Sequence, residues 1–293
     1  MKKLKDIVFF IKSELQNFYE ITEIESFTNI IFEHFYNFKR LDIYINSEKI
    51  IENVDFLKIE KIISELKNYK PIQYILGYTF FYNYKIFVNS NVLIPRPETE
   101  ELIEWILKDF HKNEETLKII DIGTGSGCIA ITLVKNIINA ELTSVDISEK
   151  ALDLAQKNAV ENNVKVDFKI LDILNFHENE TEILNNSKFD VIVSNPPYVR
   201  LSEKQMMQKN VTNYEPHLAL FVEDKNPLIF YQKIRDFAVK FLNPNGAIYF
   251  EINENLGNET CNLFENISEF QEIELRKDIN NKPRMLKIKR AGF

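Results

Sequence analysis

Apolar residues recur at helical spacing from the start of the chain. Leu4, Ile7, Val8, Ile11 and Leu15 fall on one face, Ile24, Phe27, Ile31 and Phe35 on a second, and Leu57, Ile62, Ile63 and Leu66 on a third that Pro71 closes. Each stripe must be buried against another, so the first 70 residues are predicted to be helical throughout and to form a small bundle over 1–77. The pattern changes between Tyr78 and Leu93, where aromatic and β-branched residues dominate and Asn89-Ser90-Asn91 interrupts them; this predicts a β-hairpin linker over 78–97. From Glu98 helix and strand alternate. Leu102, Ile103, Ile106, Leu107 and Phe110 mark a helix, 117–121 a strand, and a helix runs from Ser126. The strand ending at Asp146 is followed by a helix that Ser148 can cap, with Ala151, Ala155 and Ala159 on one face. Strands follow at 165–171 and 189–194, a helix at 227–241, a strand at 247–252, a helix near 256–266 and closing strands around 271–277 and 285–289. Alternation of this kind predicts an α/β, Rossmann-like parallel sheet with helices on both faces, spanning 98–293.

Composition singles out one loop of that sheet. The chain has 293 residues and only 7 glycines, where average usage would give about 20. Gly123, Gly125 and Gly127 stand together in IIDIGTGSGCIA, directly after a strand and before a helix. A ligand can approach bare backbone there, at the carboxyl edge of the sheet. The spacing is GxGxG rather than the GxGxxG of dinucleotide sites, with Asp121 two positions ahead and Asp146 ending the next strand. A carboxylate at Asp146 can accept both ribose hydroxyls, which suits adenosine. A plain tight turn or a dinucleotide loop is the competing reading of the glycines alone.

Charge and cysteine content narrow the partners. Lys and Arg number 36 against 44 Asp and Glu, a net charge of −8. Residues 1–90 are balanced at 12 each, which leaves 24 basic and 32 acidic side chains to the part with the glycine loop. This balance gives no general attraction to a phosphate backbone, so no direct nucleic-acid partner is expected. Cys128 and Cys261 have neither disulfide-framework nor metal-site spacing, which fits a reducing cytoplasm. The N-terminal apolar run ends at Lys12, too short for a signal peptide or a membrane span. Nothing suggests an obligate assembly, and a monomer is expected.

The Asp-x-Gly-x-Gly-x-Gly run with an acid at the end of the following strand resembles the S-adenosylmethionine site of class I methyltransferases. The resemblance implies S-adenosylmethionine as cofactor, with Asp121 facing its ammonium group and Gly123, Thr124, Gly125, Ser126 and Gly127 passing its methionine portion. It further implies Asp146 on the ribose, and Asp172 with Ile173 near the adenine. After the strand FDVIVS comes Asn195-Pro196-Pro197-Tyr198, similar to the (Asn/Asp)-Pro-Pro-(Tyr/Phe) motif of methyltransferases acting on planar nitrogen. Two prolines make a rigid turn without N–H groups. If the Asn195 side-chain oxygen and the Pro196 carbonyl each accept one N–H, a delocalised amide nitrogen is held with its lone pair aimed at the methyl, and Tyr198 offers a flat face. An ordinary Asn-Pro turn is the competing structural reading.

Two further segments, Pro71-Ile72-Gln73-Tyr74-Ile75-Leu76-Gly77 and Ile94-Pro95-Arg96-Pro97-Glu98-Thr99-Glu100, together with Tyr214-Glu215-Pro216-His217, resemble the PrmC/HemK family of release-factor glutamine methyltransferases over nearly the whole chain. That resemblance implies a protein-(glutamine-N5) methyltransferase whose partner is a class 1 peptide chain release factor, bound at its Gly-Gly-Gln glutamine by Asn195, Pro196, Pro197 and Tyr198. Arg96 either orients this substrate loop or pairs locally with Glu98, and His217 is expected to be structural. Adenine methyltransferases share the Asn-Pro-Pro-Tyr motif, but the acidic second part and the lack of a basic, aromatic-interleaved segment stand against them. The chain departs from the family pattern at Glu223-Asp224-Lys225-Asn226, Glu251-Ile252-Asn253 and Asp278-Ile279-Asn280-Asn281, where turn glycines are replaced. All three are expected to lie outside the methyl-transfer site, with Asn226, Asn253 and Asn280 standing in for glycine.

Overall fold

The computed structural model describes residues 2–111, 114–176, 184, 187–265 and 267–292. It divides into two compact units, Met1–Leu76 with Lys209–Tyr214, and Gly77–Gln208 with Glu215–Phe293.

The first unit comprises β1 (Lys2–Lys3), α1 (Leu4–Leu15), α2 (Ile21–Tyr36), α3 (Arg40–Ile45), β2 (Ile50–Ile51), α4 (Asn53–Lys67) and α5 (Ile72–Leu76). The three stripes meet in one core, with Leu4, Ile7, Ile11, Leu15, Ile31, Ile59 and Leu66 wholly buried, except that Leu57 of the third stripe faces out and Phe56 and Ile59 take its place. The unit is not helical throughout: β1 and β2 pair antiparallel, Lys2 opposite Ile51 and Lys3 opposite Ile50. Two-residue strands carry no periodicity to read. α4 ends before Pro71, at a left-handed Tyr69 (φ 62°) with the Lys70 N–H on the Glu65 carbonyl; Pro71 instead opens α5, whose Tyr74 and Ile75 N–H groups bond its carbonyl. A proline lacks only a donor that the first turn of a helix leaves unused.

The second unit begins with the hairpin β3 (Tyr78–Phe81) and β4 (Tyr84–Phe87). Its turn is Tyr82-Asn83, with φ of 49° and 66°, rather than the Asn89-Ser90-Asn91 interruption. Two left-handed residues are what a two-residue hairpin turn requires to match strand twist. The chain continues through α6 (Pro97–Phe110), β5 (Leu117–Ile122), α7 (Cys128–Asn136), β6 (Ala140–Asp146), α8 (Glu149–Glu161), β7 (Asp167–Ile170), β8 (Phe189–Ser194) and β9 (Val199–Arg200). After α9 (Lys209–Tyr214), which belongs to the first unit, come β10 (Phe221–Val222), α10 (Ile229–Phe241), β11 (Leu242–Glu251), α11 (Gly257–Glu265), β12 (Phe270–Lys277) and β13 (Pro283–Arg290). Asn266, at the end of the helix expected near 256–266, lies outside the described residues.

Seven strands form one sheet in the order β12-β13-β11-β8-β5-β6-β7. The run from β11 to β7 is parallel, and β13 and β12 close the far edge antiparallel. Both faces are covered. Ile120, Ile122, Ile192, Ile248 and Phe250 pack with Tyr231, Ile234 and Phe237 of α10. On the alternate positions Tyr249 meets Trp105 of α6 edge-on, ring centroids 5.7 Å apart. Burial on both faces explains why these strands read as continuous apolar runs. The order reverses between β5 and β8, the switch point where an open parallel sheet leaves a crevice at its carboxyl ends.

The buried Asn158 of α8 ties the hairpin to that crevice. Its Oδ1 accepts from the Phe87 N–H at 2.7 Å, and its Nδ2 donates to the Phe87 carbonyl at 2.9 Å and to the Ser126 carbonyl at 2.8 Å. Ser148 caps α8, accepting from the Ala151 N–H at 3.2 Å, and Ala151, Ala155 and Ala159 are all buried.

Candidate active site

A cavity of about 320 Å³ opens at the carboxyl ends of β5, β6 and β8, within the second unit. Of the residues singled out from sequence, Gly123, Thr124, Gly125, Ser126, Asp146, Asp172, Ile173, Asn195, Pro196, Pro197 and Arg96 line it; Asp121, Gly127 and Tyr198 do not.

The three glycines serve two purposes. Gly123 and Gly125 have φ of 77° and 54°, and a Cβ on either would meet none of the described residues, so they hold a left-handed path along open space. Gly127, at φ 79°, is buried, and a Cβ there would lie 3.1 Å from the Ala155 Cβ. Its smallness lets α7 approach α8, which corrects the expectation that a ligand touches all three.

Asp146 holds the loop as well as facing the cavity, while Asp121 supports the loop from beneath. Asp146 Oδ2 accepts the Gly125 N–H and Oδ1 the Ser148 N–H, each at 2.9 Å. Burial pushes its carboxyl above the ordinary range. Asp121 is wholly buried beneath the loop, and its Oδ2 accepts from Thr124 Oγ1 at 2.6 Å. Its Oδ1 has no hydrogen-bond partner among the described residues. Burial first, and then the charge of Asp146, push this carboxyl up to about 7. Asp172 spends Oδ1 on the Leu174 N–H and Oδ2 on Asn175 Nδ2, both within its own turn, so Ile173 beside it contributes an apolar wall.

This arrangement fits S-adenosylmethionine on the donor set alone. Gly123 and Gly125 leave bare backbone along the cavity, and the Asp146 and Asp172 carboxylates bring negative charge to it, suited to a cationic cofactor. Ile122, Ile129, Leu171 and Ile173 give the cavity apolar walls suited to a flat base.

Asn195 follows β8 at the opposite side of the switch point. Its Nδ2 donates to Glu251 Oε2 at 2.9 Å and to Thr99 Oγ1 at 3.2 Å. Thr99 Oγ1 donates to the same Glu251 oxygen at 2.6 Å, and the Tyr198 hydroxyl donates to Glu251 Oε1 at 2.8 Å. Burial raises the Glu251 carboxyl above its ordinary range, against the hydrogen bonds of Thr99 and Tyr198. Tyr198 packs its ring against the sheet core, so the flat face expected of it is turned to protein rather than to the cavity. The segment Glu251-Ile252-Asn253 is therefore not remote: Glu251 touches Asn195 and Tyr198, and Asn253 Nδ2 donates to the Tyr198 carbonyl at 3.0 Å. None of Asn226, Asn253 and Asn280 has a left-handed backbone; Asn281 does, at φ 62°.

Arg96 pairs with Glu215 rather than with Glu98. Glu215, whose side chain is 1% exposed, also accepts the Ile94 N–H at 3.2 Å. The pair thus joins the segment before α6 to the wall formed by Pro216, Leu218 and Ala219.

Glu251, Thr99 and Glu215 carried no role in the sequence reading. The one signal for Glu251 was an acid closing an otherwise apolar strand, AIYFEI, since a charge so placed is retained only where it finds partners.

Residues 100–219 match the family model of the methyltransferase small domain, and residues 11–77 that of the PrmC N-terminal domain. The chain is 51% identical over 276 residues to the release factor glutamine methyltransferase of Flavobacterium psychrophilum, covering 94% of each. It is 39% identical to that of Bacteroides thetaiotaomicron, covering 97% of this chain and 99% of the relative. A solved methyltransferase from Pyrococcus furiosus shares the fold, with a TM-score of 0.50 and 18% identity over 82% of this chain and 100% of its own. Such identity along nearly the full length of both chains, on a sheet with this glycine loop and this Asn-Pro-Pro-Tyr turn, makes the chain a member of the release factor glutamine methyltransferases.

Proposed function

We propose that the chain transfers a methyl group from S-adenosylmethionine to the N5 amide nitrogen of the glutamine in the Gly-Gly-Gln loop of class 1 peptide chain release factors, acting in the cytoplasm as a monomer and without a nucleic-acid partner. The observation that carries the reading is the state of Asn195: its amide nitrogen is turned to Glu251 and Thr99, while the residue lines the cavity shared with the glycine loop. What remains for a ligand is its acceptor oxygen, the group a primary amide needs. The 51% identical relative bears the name of this activity. Among the described residues no helix is long and apolar enough to cross a membrane.

Gly123, Thr124, Gly125, Ser126, Asp146, Asp172 and Ile173 would hold the cofactor, over Asp121 beneath the loop. When bound, S-adenosylmethionine supplies an electrophilic methyl on a sulfonium. Asn195 Oδ1 and the Pro196 carbonyl accept one N–H each from the glutamine amide, fixing its plane and the direction of the nitrogen lone pair. Positioning of this kind is worth about 7–11 kcal/mol at its favourable limit. The two acceptors also stabilise positive charge developing on the nitrogen. Pro196 and Pro197 keep the turn rigid and add no competing N–H. Among the described residues no His, Lys or Glu lines the cavity, and none is required, because the amide proton becomes acidic only as the new N–C bond forms and can then leave to water.

The test is mass spectrometry of a purified release factor incubated with the enzyme and labelled cofactor. One added methyl on the Gly-Gly-Gln glutamine is expected, and a mark elsewhere or none would sink the reading. Asn195→Ala is expected to abolish transfer while leaving cofactor affinity largely intact; near-normal turnover would show that the amide is held by other means.

A further inference from the structure

We infer that Glu251 is a positioning residue that sets which end of the Asn195 amide the cavity meets, acting through a closed ring of hydrogen bonds with Thr99 and Tyr198. The inference rests on the reading that Asn195 accepts an N–H of the target amide. An asparagine amide has almost the same shape either way round, and only its hydrogen bonds distinguish oxygen from nitrogen. A half-turn of the terminal torsion would present a donor to the substrate instead of an acceptor at little steric cost. The turn that carries Asn195 cannot make this choice, since prolines at 196 and 197 offer no N–H.

Glu251 makes it. Its carboxylate is 1% exposed and supplies acceptors only. Oε2 accepts from Asn195 Nδ2 at 2.9 Å and from the Thr99 hydroxyl at 2.6 Å; Thr99 Oγ1 lies 3.2 Å from the same Nδ2; Oε1 accepts from the Tyr198 hydroxyl at 2.8 Å. Every donor in the ring meets an oxygen. With the amide reversed, Asn195 Oδ1 would face Glu251 Oε2 with no hydrogen between them, and both amide hydrogens would be left without these acceptors. Arg284, which donates to the Ile252 carbonyl at 3.3 Å, brings compensating positive charge to this end of β11. Thr99 lies in the first turn of α6, Tyr198 beyond β8 and Glu251 at the end of β11, so three elements fix one torsion.

The ring can be rebuilt with its donors and acceptors exchanged. In Glu251→Gln one of the two acceptors becomes a donor: either the new N–H group faces Asn195 Nδ2, and the Asn195 amide must turn or lose its partner, or it faces the Tyr198 hydroxyl, which must then turn to accept. In Asn195→Asp two carboxylates face each other. In the double variant the introduced glutamine amide donates to the introduced aspartate and to Thr99, and Thr99 donates to that aspartate. Tyr198 then donates to the glutamine oxygen, and the second aspartate oxygen faces the cavity. Transfer to the release-factor glutamine is measured for all four proteins, with cofactor affinity by calorimetry and thermal unfolding. Glu251→Gln is expected to lower kcat by about 100-fold, the scale of a misplaced reacting group, with cofactor affinity unchanged. Asn195→Asp alone is expected to be similarly poor. Combining them is expected to raise kcat at least about tenfold above either single variant, a coupling that independent losses do not show. Near-normal kcat in Glu251→Gln, or a double variant no better than the singles, would overturn the inference, as would a Glu251→Gln protein that fails to fold and is not restored by the second change. A wild-type enzyme that leaves the glutamine unmodified would instead refute the substrate reading on which it rests.

Discussion

Asp121 is wholly buried, shares one oxygen with Thr124 and leaves the other without a hydrogen-bond partner among the described residues. Burial lifts its carboxyl from 3.8 to about 7. Because the folded value lies above the unfolded one, the folded chain binds more protons between them. Stability therefore falls as pH rises from about 4 to about 7 and is level beyond. A cation beside Oδ1 favours the ionised form, so cofactor affinity is expected to rise about tenfold between pH 6 and pH 8, following the ionised fraction. Calorimetric titration at the two pH values checks this. Asp146 is pushed in the same direction, so Asp121→Asn is the control: its affinity is expected to be lower and to lose most of the pH dependence. If the variant keeps the full slope, Asp121 is not the titrating group. Asp121, Asp146 and Asn195 were legible in the sequence because each stands at a fixed offset from a strand end or a glycine. Glu251 and Thr99 were not, since they meet Asn195 across 56 and 96 residues and only the closed sheet brings them together.

Elements explain why the glycines are few and why they are where they are. Asn37, Asn83, Asn139, Asn163, Asn245 and Asn281 occupy left-handed backbone that glycine could have taken. The sequence suggested such replacement but at the wrong residues, because a composition does not show which member of a turn carries positive φ. Asn253 in particular is retained for its side chain, which bonds the Tyr198 carbonyl and Glu203. The hairpin was legible from its aromatic and β-branched run, while its turn was not, since Tyr82 has no strong preference for a left-handed conformation. Gly127 and Gly125 should separate cleanly on substitution. Gly127→Ala crowds Ala155 as well as straining φ, and is expected to cost about 2–3 kcal/mol in chemical denaturation. Gly125→Ala meets open space, so about 1 kcal/mol is expected from φ alone, with the larger effect falling on cofactor affinity. Equal stability losses in the two variants would contradict the packing role of Gly127.

At the scale of the whole molecule, chain order and spatial order part company at α9. Lys209–Tyr214 lies far along the sequence yet belongs with the first unit, where the Tyr214 hydroxyl bonds the Asn68 carbonyl at 2.8 Å and Lys209 sits over the Tyr69 ring. No local pattern announces this return of the chain. The hairpin groups with the second unit, where Asn158 bonds both the N–H and the carbonyl of Phe87. Trp105, packed between Tyr249 and the Arg276 guanidinium, is the single tryptophan of the chain. Its fluorescence is consequently a private signal of the sheet unit, while circular dichroism sums the helices of both. Melting followed by the two methods is expected to coincide only if the units unfold as one. Saturating cofactor, at about 100 times its dissociation constant, should stabilise the sheet unit by about 2.7 kcal/mol and move the fluorescence midpoint upward. A fluorescence curve that stays in place would mean that the cofactor is not held at the glycine loop.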